Sequence, residues 1–138
     1  MAEECFSQAN NFMILTCSEC ANGGQLANRT AEELSTEGYG RWVCLAAIGV
    51  PVSRLSSFIQ SSAKDVSFII AVDGCSKGCA KKILEQAGLS IENYLVVTDH
   101  GIGKNKDLTL TMEVIEKFKA TVKEMVRGKE DTILGLMI

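Results

Sequence analysis

Four short apolar runs are spaced along the chain, and each is nearly continuous rather than interrupted by polar residues. They cover residues 12–17, 42–48, 66–72 and 94–98. Continuous runs of this length are typical of strands that are buried on both faces of a parallel sheet. The pattern therefore predicts four strands, each hidden from water on both sides.

Segments with helical periodicity follow the four runs, because their apolar positions recur three and four residues apart. The repeating positions are Leu26, Thr30, Ala31 and Leu34 in the first segment; Leu55, Phe58, Ile59 and Ala63 in the second; Cys79, Ile83, Leu84 and Ala87 in the third; and Met112, Ile115, Phe118, Lys119, Val122, Met125 and Val126 in the fourth. Gly88 and Gly128 follow the last two segments and are predicted to end those helices.

The alternation of strands and helices predicts the architecture. Four strand–helix units favour an α/β fold, in which right-handed crossovers place helices on both faces of an open parallel sheet of about four strands. We expect residues 1–138 to form a single domain, a three-layer sandwich of the Rossmann or flavodoxin-like type. A sheet with one antiparallel edge is the alternative.

The chain ends in an apolar segment, residues 131–138, whose role the pattern leaves open. The simplest interpretation is that this tail packs on its own domain. It could also form an edge strand, or a contact between two copies of the chain in a homodimer.

The composition narrows the class of protein. The chain has 138 residues, of which 46% are hydrophobic and 22% charged, and these values are typical of globular domains rather than disordered chains. The net charge of −3 argues against a nucleic-acid partner. The N-terminal residues lack the features of a secretory signal, and no apolar run is long enough to span a membrane. We therefore expect a cytoplasmic protein with neither a nucleic-acid nor a membrane partner.

Cysteine is the unusual component, because the chain contains six cysteines and a single histidine. In a reducing compartment, clustered cysteines are more often metal ligands or redox groups than disulfides. Cys17 ends the first run, with Cys20 three residues later, and Cys75 follows the third run, with Cys79 four residues later. Since the carboxyl ends of parallel strands meet at one edge of the sheet, these thiols are expected at the same rim. Cys44 lies inside the second run and reaches that rim only if the strand ends near Leu45 and residues 46–50 form the loop.

Cys75 and Cys79 stand at the predicted start of a helix, where unpaired N–H groups favour a thiolate over a thiol. Lys77, Lys81 and Lys82 add positive charge nearby. Two neighbouring thiolates repel each other, so a bound cation would stabilise them, and zinc accepts thiolates in a tetrahedral arrangement. The alternative for a thiolate at this position is nucleophilic or redox chemistry.

Several further positions each have a functional and a structural interpretation. Cys44 is either a ligand or a small buried thiol, and Cys20 is a ligand, a neighbour or a resolving thiol. Asp73 could orient a ligand, although capping of the following helix explains it as well. His100 is more simply a loop residue than a base. The pair Gly23–Gly24 could cradle a phosphate, but a tight turn between strand and helix is the simpler explanation.

Three motifs give the chain a resemblance to a known family. Residues 72–82 resemble the Asp-Gly-Cys signature of DGC-domain proteins, and residues 16–28 and 44–49 resemble the family's first and second motifs. The similarity extends over residues 12–127. The family is described as zinc-binding, so the resemblance implies one Zn²⁺ held by the family's cysteines. They fall on Cys17, Cys44, Cys75 and Cys79 in this chain. Cys20 is an extra thiol, and whether it replaces Cys44 as a ligand stays open.

Three functional hypotheses follow. The first is a small zinc protein, in which the site is structural or sensory if all four cysteines bind and open to a ligand if only three do. The second is a thiol redox or thiol-transfer enzyme, in which Cys75 binds a small thiophilic ligand and Cys79 or Cys20 is the resolving thiol. The third is an interaction module with incidental cysteines. The sequence does not decide between an enzyme and a binding protein.

Overall fold

A computed structural model of the chain describes residues 12–49, 66, 68–89, 91 and 93–137. The strands are β1 (Phe12–Thr16), β2 (Arg41–Trp42), β3 (Phe68–Asp73) and β4 (Asn93–Val96). The helices are α1 (Asn22–Thr36), α2 (Leu45–Gly49), α3 (Cys79–Gln86) and α4 (Met112–Met137), with a short 3-10 helix at Val97–His100. The helix predicted over residues 55–63 lies outside the described residues.

The four strands form one parallel sheet in the order β2-β1-β3-β4. This confirms the predicted α/β class and the parallel sheet, and it is consistent with a Rossmann or flavodoxin-like sandwich. In the described part of the chain, no strand is antiparallel. The chain moves from β1 to β2 at one edge and then returns to β3 on the other side of β1. The strand order therefore reverses between β1 and β3, and ligands of open parallel sheets bind at such a switch point.

The two central strands, β1 and β3, bury residues on both faces. Along β1, Phe12 and Ile14 belong to one apolar cluster and Met13 and Leu15 to the other, as the two-residue repeat of a strand requires. The helix residues in the first cluster are Leu26, Ala27, Ala31 and Leu34 of α1 and Ile115, Phe118, Val122 and Val126 of α4; those in the second are Ala47 and Ile48 of α2 and Leu84 of α3. Burial on both faces explains why the apolar runs are continuous.

The strand predicted over residues 42–48 is wrong for most of its length. Strand β2 ends at Trp42, and Leu45–Gly49 forms helix α2. A short apolar run does not by itself distinguish a strand from a helix, and leucine and alanine are strong helix formers. Cys44 therefore lies just beyond the end of β2, although the residues predicted as the loop after it, 46–50, include helix α2.

The last helix is longer than the sequence predicts. Helix α4 continues through Gly128 to Met137, so the prediction that Gly128 ends the helix is wrong, and so is the alternative of an edge strand over residues 131–137. Gly128 lacks the positive φ of a helix-ending glycine, and a glycine inside a helix costs only about 1 kcal/mol relative to alanine. The tail side chains that would form the predicted contact between two copies of the chain lie outside the described residues. None of the described helices is long and apolar enough to cross a membrane.

Helices α1 and α4 are joined by ion pairs around Lys119, which explains a lysine inside an apolar stripe. Its side chain is 3% exposed, and Nζ lies 2.6 Å from Glu37 Oε1, 3.2 Å from Glu116 Oε1 and 3.3 Å from Glu33 Oε1. The hydrogen bond from Lys119 lowers the pKa of the Glu37 carboxyl, and the bond to Glu37 raises the pKa of Lys119. The buried charge is therefore fully paired, as burial requires.

Candidate functional site

The loops that follow β1 and β3 meet at the switch point of the sheet. The backbone N–H of Gly74, directly after β3, donates to Cys17 Sγ, directly after β1, over 3.1 Å. The N–H of Cys17 donates to Val72 O, also over 3.1 Å, so the two segments are joined in both directions. Cys17 and Cys75 are thereby held on neighbouring loops, where the sequence predicts thiols at the ends of parallel strands.

Three glycines allow these two loops to touch backbone to backbone. A Cβ on Gly74 would lie 2.5 Å from Glu19 Oε1 and 2.6 Å from the carbonyl carbon of Gly23. A Cβ on Gly23 would lie 2.5 Å from Gly74 O, and one on Gly24 would lie 2.5 Å from the backbone nitrogen of Glu19. Each approach is well inside van der Waals contact. A larger residue at Gly23 or Gly74 would force the two loops apart, and one at Gly24 would displace Glu19 within its own loop. This close packing accounts for the Gly23–Gly24 pair without a bound phosphate.

The Cys75 thiol, in a residue that is only 8% exposed, is paired with two charged side chains. Its Sγ lies 3.3 Å from Glu19 Oε2 and 3.6 Å from Lys104 Nζ, and Nζ lies 3.5 Å from the same Glu19 oxygen. Electrostatic interaction with Cys75, followed by that with Glu19, raises the pKa of Lys104, which therefore stays a cation at neutral pH. A thiol, a carboxylate and an ammonium group thus meet at one point.

Asn22, the first residue of α1, holds the loop that carries Lys104. Its Nδ2 donates to Gly103 O over 2.7 Å, and its Oδ1 accepts from the N–H of Asn105 over 2.8 Å. Its own N–H donates to Asn105 O over 3.0 Å. These three bonds bracket Lys104 and fix its backbone beside the loop of Glu19.

Asp73, at the end of β3, caps the helix that follows. The residue is 1% exposed, and its carboxylate accepts from the N–H groups of Ala80 at 2.8 Å and Lys81 at 3.2 Å, in the first turn of α3. It also accepts from the Tyr94 hydroxyl at 2.7 Å. Burial and the bond to Asp73 raise the pKa of Tyr94, so this hydroxyl stays protonated and donates. The capping interpretation of Asp73 is confirmed.

Cys17 is kept as a neutral thiol. Burial raises its pKa to about 11, although the backbone N–H groups of Gly74 and Glu19 act in the opposite direction. At neutral pH the Cys17 sulfur is therefore an acceptor for the loop backbone rather than a nucleophile, because the thiolate is the reactive form of cysteine.

A cleft of about 740 Å³, called here the switch-point cleft, opens beside this arrangement. Its walls carry the thiols of Cys20 and Cys79, the carboxylate of Glu19, and three lysines, Lys77, Lys104 and Lys106. Cys79 is exposed here, so its predicted place on the buried stripe of α3 is wrong; Ala80 and Leu84 fill that stripe.

Cys44 lies on a second, mainly apolar cavity of about 620 Å³ between β2, α2 and the end of β1, which shares Ser18 with the switch-point cleft. It is exposed, so its interpretation as a buried thiol is wrong. His100 lies in the 3-10 helix with its ring edge-on to Phe118, the two centroids 5.8 Å apart. This histidine therefore packs against the apolar cluster of α4.

The four predicted zinc ligands do not lie together at one site. Cys17 and Cys75 share the loop junction, Cys79 lines the switch-point cleft, and Cys44 lines the apolar cavity. Within residues 12–49, 66, 68–89, 91 and 93–137, no three side chains of His, Cys, Asp or Glu are arranged to hold a metal ion. This conformation does not fit a tetrahedral zinc site, in which every sulfur lies about 2.3 Å from the metal. Cys5 lies outside the described residues.

Sequence reasoning missed Glu19, Lys104 and Asn22. Cys75 pairs with Glu19 across 56 residues of chain and with Lys104 across 29, so no local spacing marks either contact. The available signal is positional, because Glu19 follows the first strand and Lys104 follows the fourth. Loops at the C-terminal ends of parallel strands share one edge, so charged residues in them are candidates for a site.

A protein-family comparison matches the DGC domain to residues 13–122 of the chain. The chain belongs to the DGC-domain family. Among curated proteins, this DGC-domain chain is similar to the anaerobic and virulence modulator AnvM of Pseudomonas aeruginosa, at 30% identity over 92 residues, which is 67% of each chain. A comparison with solved structures found no match. The part matched to the DGC domain contains the switch-point loops together with Glu19 and Lys104.

Proposed function

We propose that this DGC-domain protein works through the Cys75 thiol, which bonds to a small thiophilic ligand that enters the switch-point cleft. The observation that carries the proposal is the pairing of Cys75 Sγ with Glu19 Oε2 at 3.3 Å and with Lys104 Nζ at 3.6 Å. Cys75 itself is not among the residues that line the cleft, but both partners of its thiol are, so a ligand that reaches the sulfur passes between Glu19 and Lys104.

Lys104 places a positive charge 3.6 Å from the Cys75 sulfur. An ammonium group beside a sulfur stabilises its negative charge, and the thiolate is both the nucleophile and the metal ligand. The bonds from Asn22 on either side of Lys104 keep the cation in place.

Glu19 is placed to accept the thiol proton. Its Oε2 is the atom next to Cys75 Sγ, and its Oε1 is buried with no hydrogen-bond partner in the described part of the chain. When the Cys75 sulfur bonds to a ligand, Glu19 Oε2 is therefore the acceptor next to the thiol proton that is displaced.

The name of the similar protein agrees with chemistry of this kind. AnvM is called an anaerobic and virulence modulator, and thiols persist in the reduced form under anaerobic conditions. A protein centred on a reduced thiol would suit such a setting.

The rate of Cys75 alkylation tests the proposal. The reduced protein is treated with iodoacetamide at neutral pH, and peptide mass spectrometry follows each cysteine over time. We expect Lys104→Met to slow labelling of Cys75 by about 3- to 10-fold, because the nearby cation is lost. Lys82→Met, on the exposed side of α3 and outside the lining of the cleft, is the matched control. With Cys44 as internal reference, equal rates in Lys104→Met and the unmodified protein would contradict the proposal.

Zinc binding by Cys17, Cys44, Cys75 and Cys79 is a second proposal, supported by family membership and by the thiols at one rim of the sheet. It requires the segments of Cys44 and Cys79 to move toward the loop junction, and Cys17 to lose its proton against a pKa of about 11. Metal analysis of protein purified anaerobically without a metal-affinity tag tests it. About one zinc per chain, lost in Cys75→Ser, supports the site, and a metal-free chain refutes it.

A further inference from the structure

The switch-point cleft is positively charged, although the whole chain has a net charge of −3. Lys77, Lys104 and Lys106 line it, and Glu19 is the one carboxylate among its described lining residues. Glu19 is already paired with Lys104 at 3.5 Å. In the described ranges, neither Lys77 nor Lys106 forms an ion pair. Among the described residues, two cations on the cleft walls are therefore left without an ion-pair partner.

The N-terminus of α1 adds to the same positive field. Its N-cap, Ala21, lines the cleft, and α1 has no acidic residue in its first turn. The N-terminus of α3 does not contribute in the same way, because the Asp73 carboxylate already accepts from its N–H groups. The lysines and the end of α1 together favour an anion.

We infer that the thiophilic ligand of Cys75 is a small anion, and that Lys77 and Lys106 determine this specificity. The inference rests on the proposed function of Cys75, and it adds the charge of the ligand. Lys104 is engaged with Cys75 and Glu19, which leaves the other two lysines to bind the anionic group. The volume of about 740 Å³ accepts a small molecule. A neutral ligand could accept hydrogen bonds from the lysines but would not neutralise their charge.

Iodoacetate and iodoacetamide test the charge preference, because they share a reacting carbon and are close in size. With either reagent a bond forms between Cys75 Sγ and that carbon, and iodide leaves with the electron pair of the broken bond. The measured quantity is the iodoacetate-to-iodoacetamide rate ratio at Cys75, divided by the same ratio at Cys44 on the apolar cavity. We expect a quotient of about 3 to 10 at low salt, which falls as ionic strength rises to about 0.5 M.

Two double variants assign the preference to particular lysines. Lys77→Met with Lys106→Met should bring the quotient close to one. Lys81→Met with Lys82→Met removes the same charge from α3 outside the cleft lining and should leave it unchanged.

The outcomes separate this inference from the proposed function. A quotient near one, with Cys75 still labelled rapidly by iodoacetamide and slowed by Lys104→Met, would overturn the anion inference alone. Slow labelling of Cys75 by both reagents, unaffected by Lys104→Met, would overturn the proposed function. A high quotient that survives the loss of Lys77 and Lys106 would overturn their assignment as the specificity residues.

Discussion

Replacing Gly74 by alanine tests whether the loops after β1 and β3 touch backbone to backbone. The added Cβ would lie 2.5 Å from Glu19 Oε1 and 2.6 Å from the carbonyl carbon of Gly23, and it would also meet the backbone nitrogen of Gly24. Glu19 can turn its flexible end away, but the backbone atoms move only if the whole loop moves. Gly74→Ala should therefore separate the two halves of the candidate site.

The expected loss of stability follows from these contacts. Overpacking destabilises a protein by about 1–3 kcal/mol, and backbone partners place this change near the upper end. Alanine also restricts the unfolded chain, which returns about 0.4–1 kcal/mol. The net destabilisation is about 2 kcal/mol. For 138 residues with an unfolding entropy of about 2.1 cal/mol/K each, this lowers Tm by about 7 °C.

Thermal unfolding followed by circular dichroism measures the effect. Gly103→Ala is the matched control, because its added Cβ meets nothing within 4 Å. Separation of the loops should also expose Cys17, so iodoacetamide should label Cys17 faster in Gly74→Ala than in the control. Equal Tm values for the two variants, with Cys17 equally protected, would refute the backbone contact.

Three further predictions concern stability. Gly128→Ala should stabilise the protein by about 0.5–1 kcal/mol, because α4 continues through this position; a lower Tm in a thermal scan would instead mark a helix end there. Lys119→Met should lower the free energy of unfolding, measured by urea titration, by about 2 kcal/mol. Removal of one partner from a fully buried ion pair costs about 3–5 kcal/mol, and the loss is smaller here because the carboxylates remain partly hydrated. The pKa of Glu37 is lower in the folded protein than in the unfolded chain. The stability lost in Lys119→Met should therefore be largest above the unfolded Glu pKa of about 4.3, and it should shrink as the pH falls through the pKa of Glu37 in the folded protein. A loss of stability that does not depend on pH would contradict the ion pair. The raised pKa of Cys17 should make stability fall from about pH 9 to about pH 11, because the folded state binds the proton more tightly; Cys17→Ala should lack this component, and identical pH profiles would count against the shift.

Hydrophobic patterning predicts the central strands well, because burial on both faces leaves a continuous apolar run that tolerates few polar residues. Strand β3 and the apolar positions Leu26 and Leu34 of α1 lie where the pattern puts them. The pattern fails at β2, where only Arg41 and Trp42 pair with β1 and the rest of the run turns into a helix. Apolar character is common to buried strands and buried helices, so tertiary context decides between them.

The candidate site is only half predictable, for a similar reason. Cys17 and Cys75 are visible in the sequence because each follows a strand directly, and parallel strands bring their C-terminal ends to one rim. The charged partners of Cys75 come from the loops after two other strands, β1 and β4, and no spacing relates them. Asn22, which brackets Lys104 through Gly103 and Asn105, is recognisable only once the loops are placed.

The most direct test of the Cys75 site is the position of the label after the protein meets one equivalent of a thiophilic reagent at neutral pH. Cys20, Cys44 and Cys79 are exposed, whereas Cys17 and Cys75 are buried, so exposure alone favours the first three. We expect peptide mass spectrometry to find most of the label on Cys75, although that residue is 8% exposed, and none on Cys17. Label spread over Cys20, Cys44 and Cys79, with Cys75 unmodified, would contradict a reactive thiol held by Glu19 and Lys104.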